Sequence, residues 1–304
     1  MKLRFAPDAR GRLQPDPYIL KTDKGYFIYA TGPDGVQVYR ADSPFGEWSY
    51  CGLGLVESGG KEYWAPCVVG RDGHYYMYYS SIPQDCTDVH RQAIKVAAAD
   101  SPAGPFRYVR TMLGAFSIDP HVVKSGDDYY IFYSVNDYQS ERAGTYIVVD
   151  RMTDMFTAEG NPVPVVRPTM DEEIFQRNRF RRGQDWHTIE GAFYFRKGND
   201  HFCMYSGNCY QSPYYFIGYA HAYGEEDDLR KLQFRKYPDD DTYCPLICRN
   251  DEETGTGHNS VLEEDGKYYV VYHGRDIGAD EGRDMRTARI CEMKAENGVL
   301  SVIR

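Results

Sequence analysis

The apolar positions of this chain fall in short runs, not in long helical periods. Five of these runs share one form: a strand-like stretch, a polar turn, and a second stretch dense in aromatic residues. They read DPYILKTDKGYFIYA from Asp16, APCVVGRDGHYYMYYS from Ala65, DPHVVKSGDDYYIFYS from Asp119, EGAFYFRKGNDHFCMYSG from Glu190 and HNSVLEEDGKYYVVYHG from His258. Turns centred on Gly25, Gly73, Asp127, Gly198 and Gly266 separate the two stretches, which is the signature of a β-hairpin. Further β-prone runs follow, among them VQVYRA, IKVAAA, TYIVVDR, YFIGYAHA and RTARICEM. A second echo, ADSPFGEW at 41–48 and ADSPAGPF at 99–106, stands at the same place in the first two units.

The pattern restarts every 50 to 70 residues or so. A unit of about 50 residues with four strand-like runs is what a β-propeller blade needs, and five recurrences predict five blades. A β-sandwich also spaces short strands evenly, but it has no reason to repeat one hairpin five times. The expected fold is therefore all-β, a five-bladed β-propeller, with residues 1–304 forming a single domain. Residues 161–186 are irregular, and DEEIFQRNRF (171–180) is the best helix candidate. Residues 2–6 are expected to seal the ring by pairing beside the strands of 286–303 in one shared blade.

Composition agrees: 28 Tyr and 14 Phe suit a pleated, half-buried surface, and 29 Gly serve the turns. A net charge of −10, from 45 acidic and 35 basic residues, argues against nucleic acid as a partner. A small neutral ligand is compatible with it. The N-terminus lacks the apolar core of a signal peptide, and no stretch approaches a membrane span, so cytoplasmic residence is expected. The eight Cys, at 51, 67, 86, 203, 209, 244, 248 and 291, are read as reduced and mostly buried thiols. The acidic clusters 171–173, 225–228 and 239–241 read as solvated loop charges, and His74 and His201 as solvated turn residues.

Four of the five hairpins begin with a group capable of chemistry: Asp16, Asp119, Glu190 and His258. In a propeller the first strand of each blade lines the central channel, so these heads converge. Like charges brought that close raise at least one pKa, supplying a protonated acid beside an ionised base. No Walker loop, HExxH or GxSxG motif competes with this reading.

On these residues the chain resembles glycoside hydrolase family 43, the five-bladed arabinofuranosidases, xylosidases and arabinanases. The likeness rests on Asp16-Pro17, Trp64-Ala65-Pro66, Ile118-Asp119-Pro120, Ile189-Glu190-Gly191, and Gly257-His258 with Tyr272-His273. It implies that the propeller is a catalytic domain without the C-terminal β-sandwich of many family xylosidases. It also implies an inverting exo-glycosidase that frees a terminal pentose from small neutral, plant-derived oligosaccharides, α-L-arabinofuranose first, with β-xylosidase or arabinanase as alternatives. Asp16 would be the general base, Glu190 the general acid, and Asp119 the group that orients and tunes the acid. The resemblance also implies sugar contacts at Trp64, Trp186, His187 and Arg286. No cofactor is required, and a structural calcium ion in the channel would contact His258 through water. A sugar-binding propeller without catalysis is the alternative from another class. The stretches 161–186 and 275–286 have no counterpart in the family pattern.

Overall fold

The computed structural model describes residues 1–9, 11–279 and 284–304. Residues 280–283 of the stretch 275–286 thus lie outside the described residues. Blade 1 is built from Tyr18–Thr22, Gly25–Ala30, Val36–Ala41 and Glu47–Leu55. Blade 2 follows with Gly60–Arg71, His74–Pro83, Ala93–Ala99 and Arg107–Thr111. Ile118–Ser125, Asp128–Asp137, Gly144–Asp154 and Val163–Val166 form blade 3. Trp186–Lys197, Asp200–Gly207, Phe216–Tyr223 and Arg235–Lys236 form blade 4. Blade 5 has Glu253–Glu264, Lys267–Asp276, Thr287–Glu296 and Val299–Ile303. Each is an antiparallel meander, so the predicted five-bladed propeller is what forms.

The aromatic second strands owe their continuous apolar character to burial on both faces. Successive side chains point to opposite sides of a strand. Ile28 accordingly packs with Leu262 and Val271 of blade 5, while Phe27 and Tyr29 pack with Met77 and Tyr79 of blade 2. Tyr78 and Val96 meet Ile131 and Val148 between blades 2 and 3. Phe132 and Val149 meet Tyr194 and Tyr205 between blades 3 and 4, and Phe202 and Met204 meet Val270 and Tyr272 between blades 4 and 5. Each neighbouring pair of blades thus has its own apolar core, the last and first included. Full burial of one such side chain stabilises by about 1.5–3 kcal/mol, so closure is driven mainly by these layers.

Ring closure follows the expectation in part: Lys2 bridges antiparallel to Arg289, beside the strands of 286–303, but Arg4 and Phe5 turn to another blade. Arg4–Phe5 pairs in parallel with Glu47 and Trp48 on the outer edge of blade 1. Met1 and Leu3 exchange backbone hydrogen bonds with Ile290 and Ala288 of blade 5. The N-terminal segment therefore straps two blades together instead of completing one, because each blade already has its own fourth strand.

Other readings are corrected by packing. The helix candidate 171–180 yields only a 3₁₀ turn, Asp171–Glu173, followed by the short strand Ile174–Gln176. Glu173 in the supposedly solvated cluster is fully buried and ion-paired with Lys236. His201 is also buried, held by the Tyr194 hydroxyl and the Gly224 carbonyl. All eight Cys are free, but only Cys67, Cys203 and Cys291 are buried. Among the described residues no helix is long and apolar enough to cross a membrane.

Candidate active site

At the head of each blade the backbone makes the same unusual turn. Asp16, Ala65, Asp119, Gly191 and His258 all have positive φ, between 46° and 65°. In blades 2 to 5 the strand pairing slips at this point, between Trp64 and Cys67, Ile118 and His121, Glu190 and Phe193, and Gly257 and Ser260. Such a bulge re-aims one side chain toward the channel mouth. A non-glycine residue in this region costs about 1–2 kcal/mol, so something must hold it. Hub hydrogen bonds do so. The Asp16 amide donates to His273 Nδ1 at 3.1 Å, and the Ala65 amide to Thr31 Oγ1 at 2.8 Å. The Gly191 amide donates to Asp119 Oδ2 at 3.0 Å, and the His258 amide to Ser206 Oγ at 2.7 Å.

The register corrects one expectation. Glu190 does not occupy the seat of Asp16 and Asp119; Gly191 does. Glu190 stands one residue earlier, where the other blades place Pro15, Trp64, Ile118 and Gly257. A Cβ at position 191 would lie 3.1 Å from His258 Nδ1, so glycine there lets blade 5 approach.

Asp16 is almost fully buried, with 8% of its surface exposed. Its Oδ2 accepts from Thr31 Oγ1 at 2.6 Å, and its Oδ1 from Arg286 Nη1 at 3.1 Å. Burial, the largest single influence, pushes the carboxyl upward, but the Arg286 guanidinium together with His258 and His273 outweighs it and holds Asp16 well below the ordinary carboxylate range. Arg286 is itself held by Asp284 through two hydrogen bonds of 2.8 Å.

Glu190 has the opposite setting. Burial pushes its carboxyl up to about 7, against the opposing effect of the hydrogen bond from Tyr215, whose hydroxyl donates to Oε1 at 2.8 Å. Tyr215 can reach this position because residue 257 is glycine: a Cβ there would sit 1.9 Å from its ring. Asp119 is also pushed well up, by burial first and then by the charge of Glu190. The cavity therefore holds one carboxylate kept ionised and two carboxyl groups that resist ionisation.

These groups line one cavity of about 930 Å³. Trp186, Thr188 and Glu190 face it from alternate positions of one strand, joined by Trp64, Arg286 and Tyr210. His187 is a correction. It points to the other side of the strand, with Nε2 3.1 Å from Arg142 Nη1 and Nδ1 3.3 Å from the Ala143 carbonyl, and does not line the cavity. Sequence reasoning missed Thr31, Tyr215 and His273. A signal existed for two of them: Thr31 and His273 occupy the position that ends the aromatic strand, filled in the other blades by Ser80, Ser134 and Ser206.

His258 lies with Nδ1 3.5 Å from Asp16 Oδ1, and burial lowers its pKa, which keeps the ring neutral. The residues around it do not make a calcium cage. Hard cations take oxygen ligands, whereas the nearest carboxylate is already engaged by Thr31 and Arg286. Among the described residues no group of three or more His, Cys, Asp or Glu could hold a metal ion.

Comparison with known proteins agrees with the geometry. The model of "Glycosyl hydrolases family 43" matches residues 11–299. A xylosidase/arabinosidase of Bacteroides ovatus is 26% identical over 264 residues, 77% of this chain and 71% of that protein. An extracellular exo-α-(1→5)-L-arabinofuranosidase of Streptomyces avermitilis is 25% identical over 298 residues, 88% of this chain but 56% of that protein. A crystal structure of a thermostable family-43 glycoside hydrolase superposes with a TM-score of 0.79 at 30% identity, covering 95% of this chain and 92% of the other. With the family model spanning nearly the whole propeller, the chain belongs to glycosyl hydrolase family 43 and is a glycoside hydrolase.

Proposed function

We propose that this hydrolase is exo-acting and inverting, and that it releases a terminal pentose, α-L-arabinofuranose first, from short oligosaccharides. Glu190 is the general acid that protonates the leaving glycosidic oxygen. Asp16 is the general base that takes a proton from the attacking water on the opposite face of the sugar. Asp119 holds the acid's strand through the Gly191 amide, and the charge of Asp16 adds to burial in raising the acid's proton affinity. Trp64 and Trp186 supply aromatic walls, and Arg286 keeps the base ionised.

One observation carries the reading: two carboxyl groups in one cavity have opposed proton affinities, which is how acid and base roles are divided at neutral pH. Inversion asks for a carboxyl separation of about 6.5–9.5 Å, leaving room for the water. The relatives' names favour pentosides, and the xylosidase/arabinosidase name supports β-D-xylose as the second reading. The test compares kcat/KM on para-nitrophenyl α-L-arabinofuranoside and β-D-xyloside. Turnover of neither would sink the exo-pentosidase reading, and proton NMR showing a retained first-formed anomer would sink inversion. Cytoplasmic residence is part of the proposal, supported by eight unpaired thiols. Fractionation of producing cells tests it against the extracellular example.

A further inference from the structure

The wall that leads away from Glu190 carries a cation with no carboxylate within ion-pair distance among the described residues. Glu190, Thr188 and Trp186 face the cavity in sequence, so the strand runs from the proposed acid toward Trp186 over about 13 Å. Because Glu190 is assigned to the leaving oxygen, this direction is that of the sugars beyond the scissile bond. At its far end, Arg179 lines the cavity with its guanidinium 5.3 Å from the Trp186 ring and 5.2 Å from that of Phe175.

Of the five arginines between 161 and 186, Arg179 alone lines the cavity; Arg181 and Arg182, which also lack an ion pair among the described residues, are exposed. Arg167 is paired with Asp137, and Arg177 with Asp171 and Asp185. Among the described residues Arg179 has no carboxylate within ion-pair distance, although it is half-buried. Its polar side-chain contact is His90: Nη2 donates to His90 Nε2 at 2.9 Å. Since arginine only donates, His90 Nε2 is the acceptor and its proton sits on Nδ1, facing Asp88 Oδ1 at 2.8 Å. Asp88, His90 and Arg179 thus form a relay that aims the guanidinium and leaves most of its donors free. The segment is also anchored. Lys236 reaches under it to the buried Glu173 and to Thr169 Oγ1, the latter at 2.8 Å.

We propose that Arg179, seated on Trp186 and aimed by His90, is a specificity-determining residue that binds a carboxylate carried by a sugar beyond the scissile bond. The preferred substrate is then an acidic oligosaccharide whose released pentose is neutral. This rests on the acid role given to Glu190 and deepens the proposed function by naming the chemistry of the leaving group. A planar guanidinium over an aromatic face matches a carboxylate held in line with a stacked sugar ring. It also revises the expectation of a wholly neutral substrate. A net charge of −10 describes the whole surface, not the local field at one cavity wall.

The test uses pentose-terminated di- and trisaccharides whose reducing end has been oxidised to the aldonate or reduced to the alditol. Each pair shares an open-chain end and differs in charge. The native protein should show a kcat/KM ratio of aldonate to alditol of about ten-fold or more at one of the two lengths, carried by KM. The ratio should shrink as salt rises. Arg179→Gln should bring it near one, and Arg179→Lys should retain much of it. Taking the ratio within each enzyme cancels any general loss of folded protein, and the salt series needs no variant. Hydrolysis of the nitrophenyl pentoside with a native ratio near one at both lengths overturns this inference alone. So does a ratio that survives Arg179→Gln. Failure to hydrolyse any pentoside overturns the parent function and this inference with it.

Discussion

Asp16 and Glu190 line the same cavity and are both screened from water, yet their neighbours act on them in opposite directions. Blade 5 sends Arg286 to Asp16, and blade 1 adds the Thr31 hydroxyl, so the ionised form is met by a cation and a donor. Glu190 receives one phenol hydrogen bond and has no cation within ion-pair distance among the described residues, and Asp119 nearby is another acid. Burial costs both groups their hydration; only one is compensated. The difference shows that depth alone assigns no role here. The counter-charge does.

Removing either group should erase the comparison. Glu190→Gln and Asp16→Asn should each lower kcat/KM on a pentose-terminated disaccharide, whose leaving sugar oxygen needs protonation, by about 10²–10⁴-fold with the fold retained by circular dichroism, since acid or base help is worth that much. Smaller losses would show that the two do not carry the roles proposed. Next comes the counter-charge. Arg286→Gln leaves Asp16 buried without its cation, and breaking such a pair costs about 3–5 kcal/mol, read by urea unfolding. The same variant should move the acidic limb of the pH–rate profile upward, because the group that held Asp16 low is gone.

The native profile measures the contrast itself. Glu190 must be protonated to act, and its folded pKa is raised to about 7, so activity should fall as pH rises through that value. Asp16 must be ionised, and its pKa is depressed, so activity should persist to pH values below the ordinary carboxylate range. Tyr215→Phe then sharpens the comparison by a smaller step. The lost hydrogen bond had favoured the ionised form of Glu190, so the alkaline limb should shift to higher pH. Activity at the optimum, where Glu190 is protonated, should change less than about ten-fold, the worth of one hydrogen bond between uncharged groups. The smallest effect belongs to chelation. Dialysis against EDTA should leave kcat/KM unaltered, because among the described residues those around His258 offer no cage.

Blades 1 and 2 show how function is laid over the repeat. Asp16 and Ala65 share one left-handed backbone seat, with φ of 53° and 46°, and both are held by an amide bond to the preceding blade. One carries a carboxylate and the other a methyl group. The strained turn is therefore a property of the propeller hub, and chemistry depends on which side chain fills the seat. The repeated hairpins made the seats visible in the sequence, and with them Asp16, Asp119 and His258.

Glu190 was found by the same pattern but assigned to the wrong register. A bulge adds one residue without leaving a mark in the hydrophobic alternation, and the same slip makes the facing of its strand hard to read. Trp186 faces the cavity while His187 turns away, a choice made by pairing with Gly144 and Ile174. Tyr215 and Arg179 come from loops whose sequences carry no period. Tyr215 reaches Glu190 only because Gly257, on another blade, leaves space for its ring.

By itself the sequence determined the all-β class, the number of blades and the residue types brought to the hub. These follow from local patterns of apolar runs and turns, repeated along the chain. Tertiary structure alone decided which carboxyl group is ionised, which face of the Trp186–Lys197 strand lines the cavity, and that Arg179 lies on the cavity wall with no carboxylate beside it among the described residues. Those outcomes depend on distances between residues far apart in the chain, and proton affinity and charge pairing are set by such distances, not by the order of the residues.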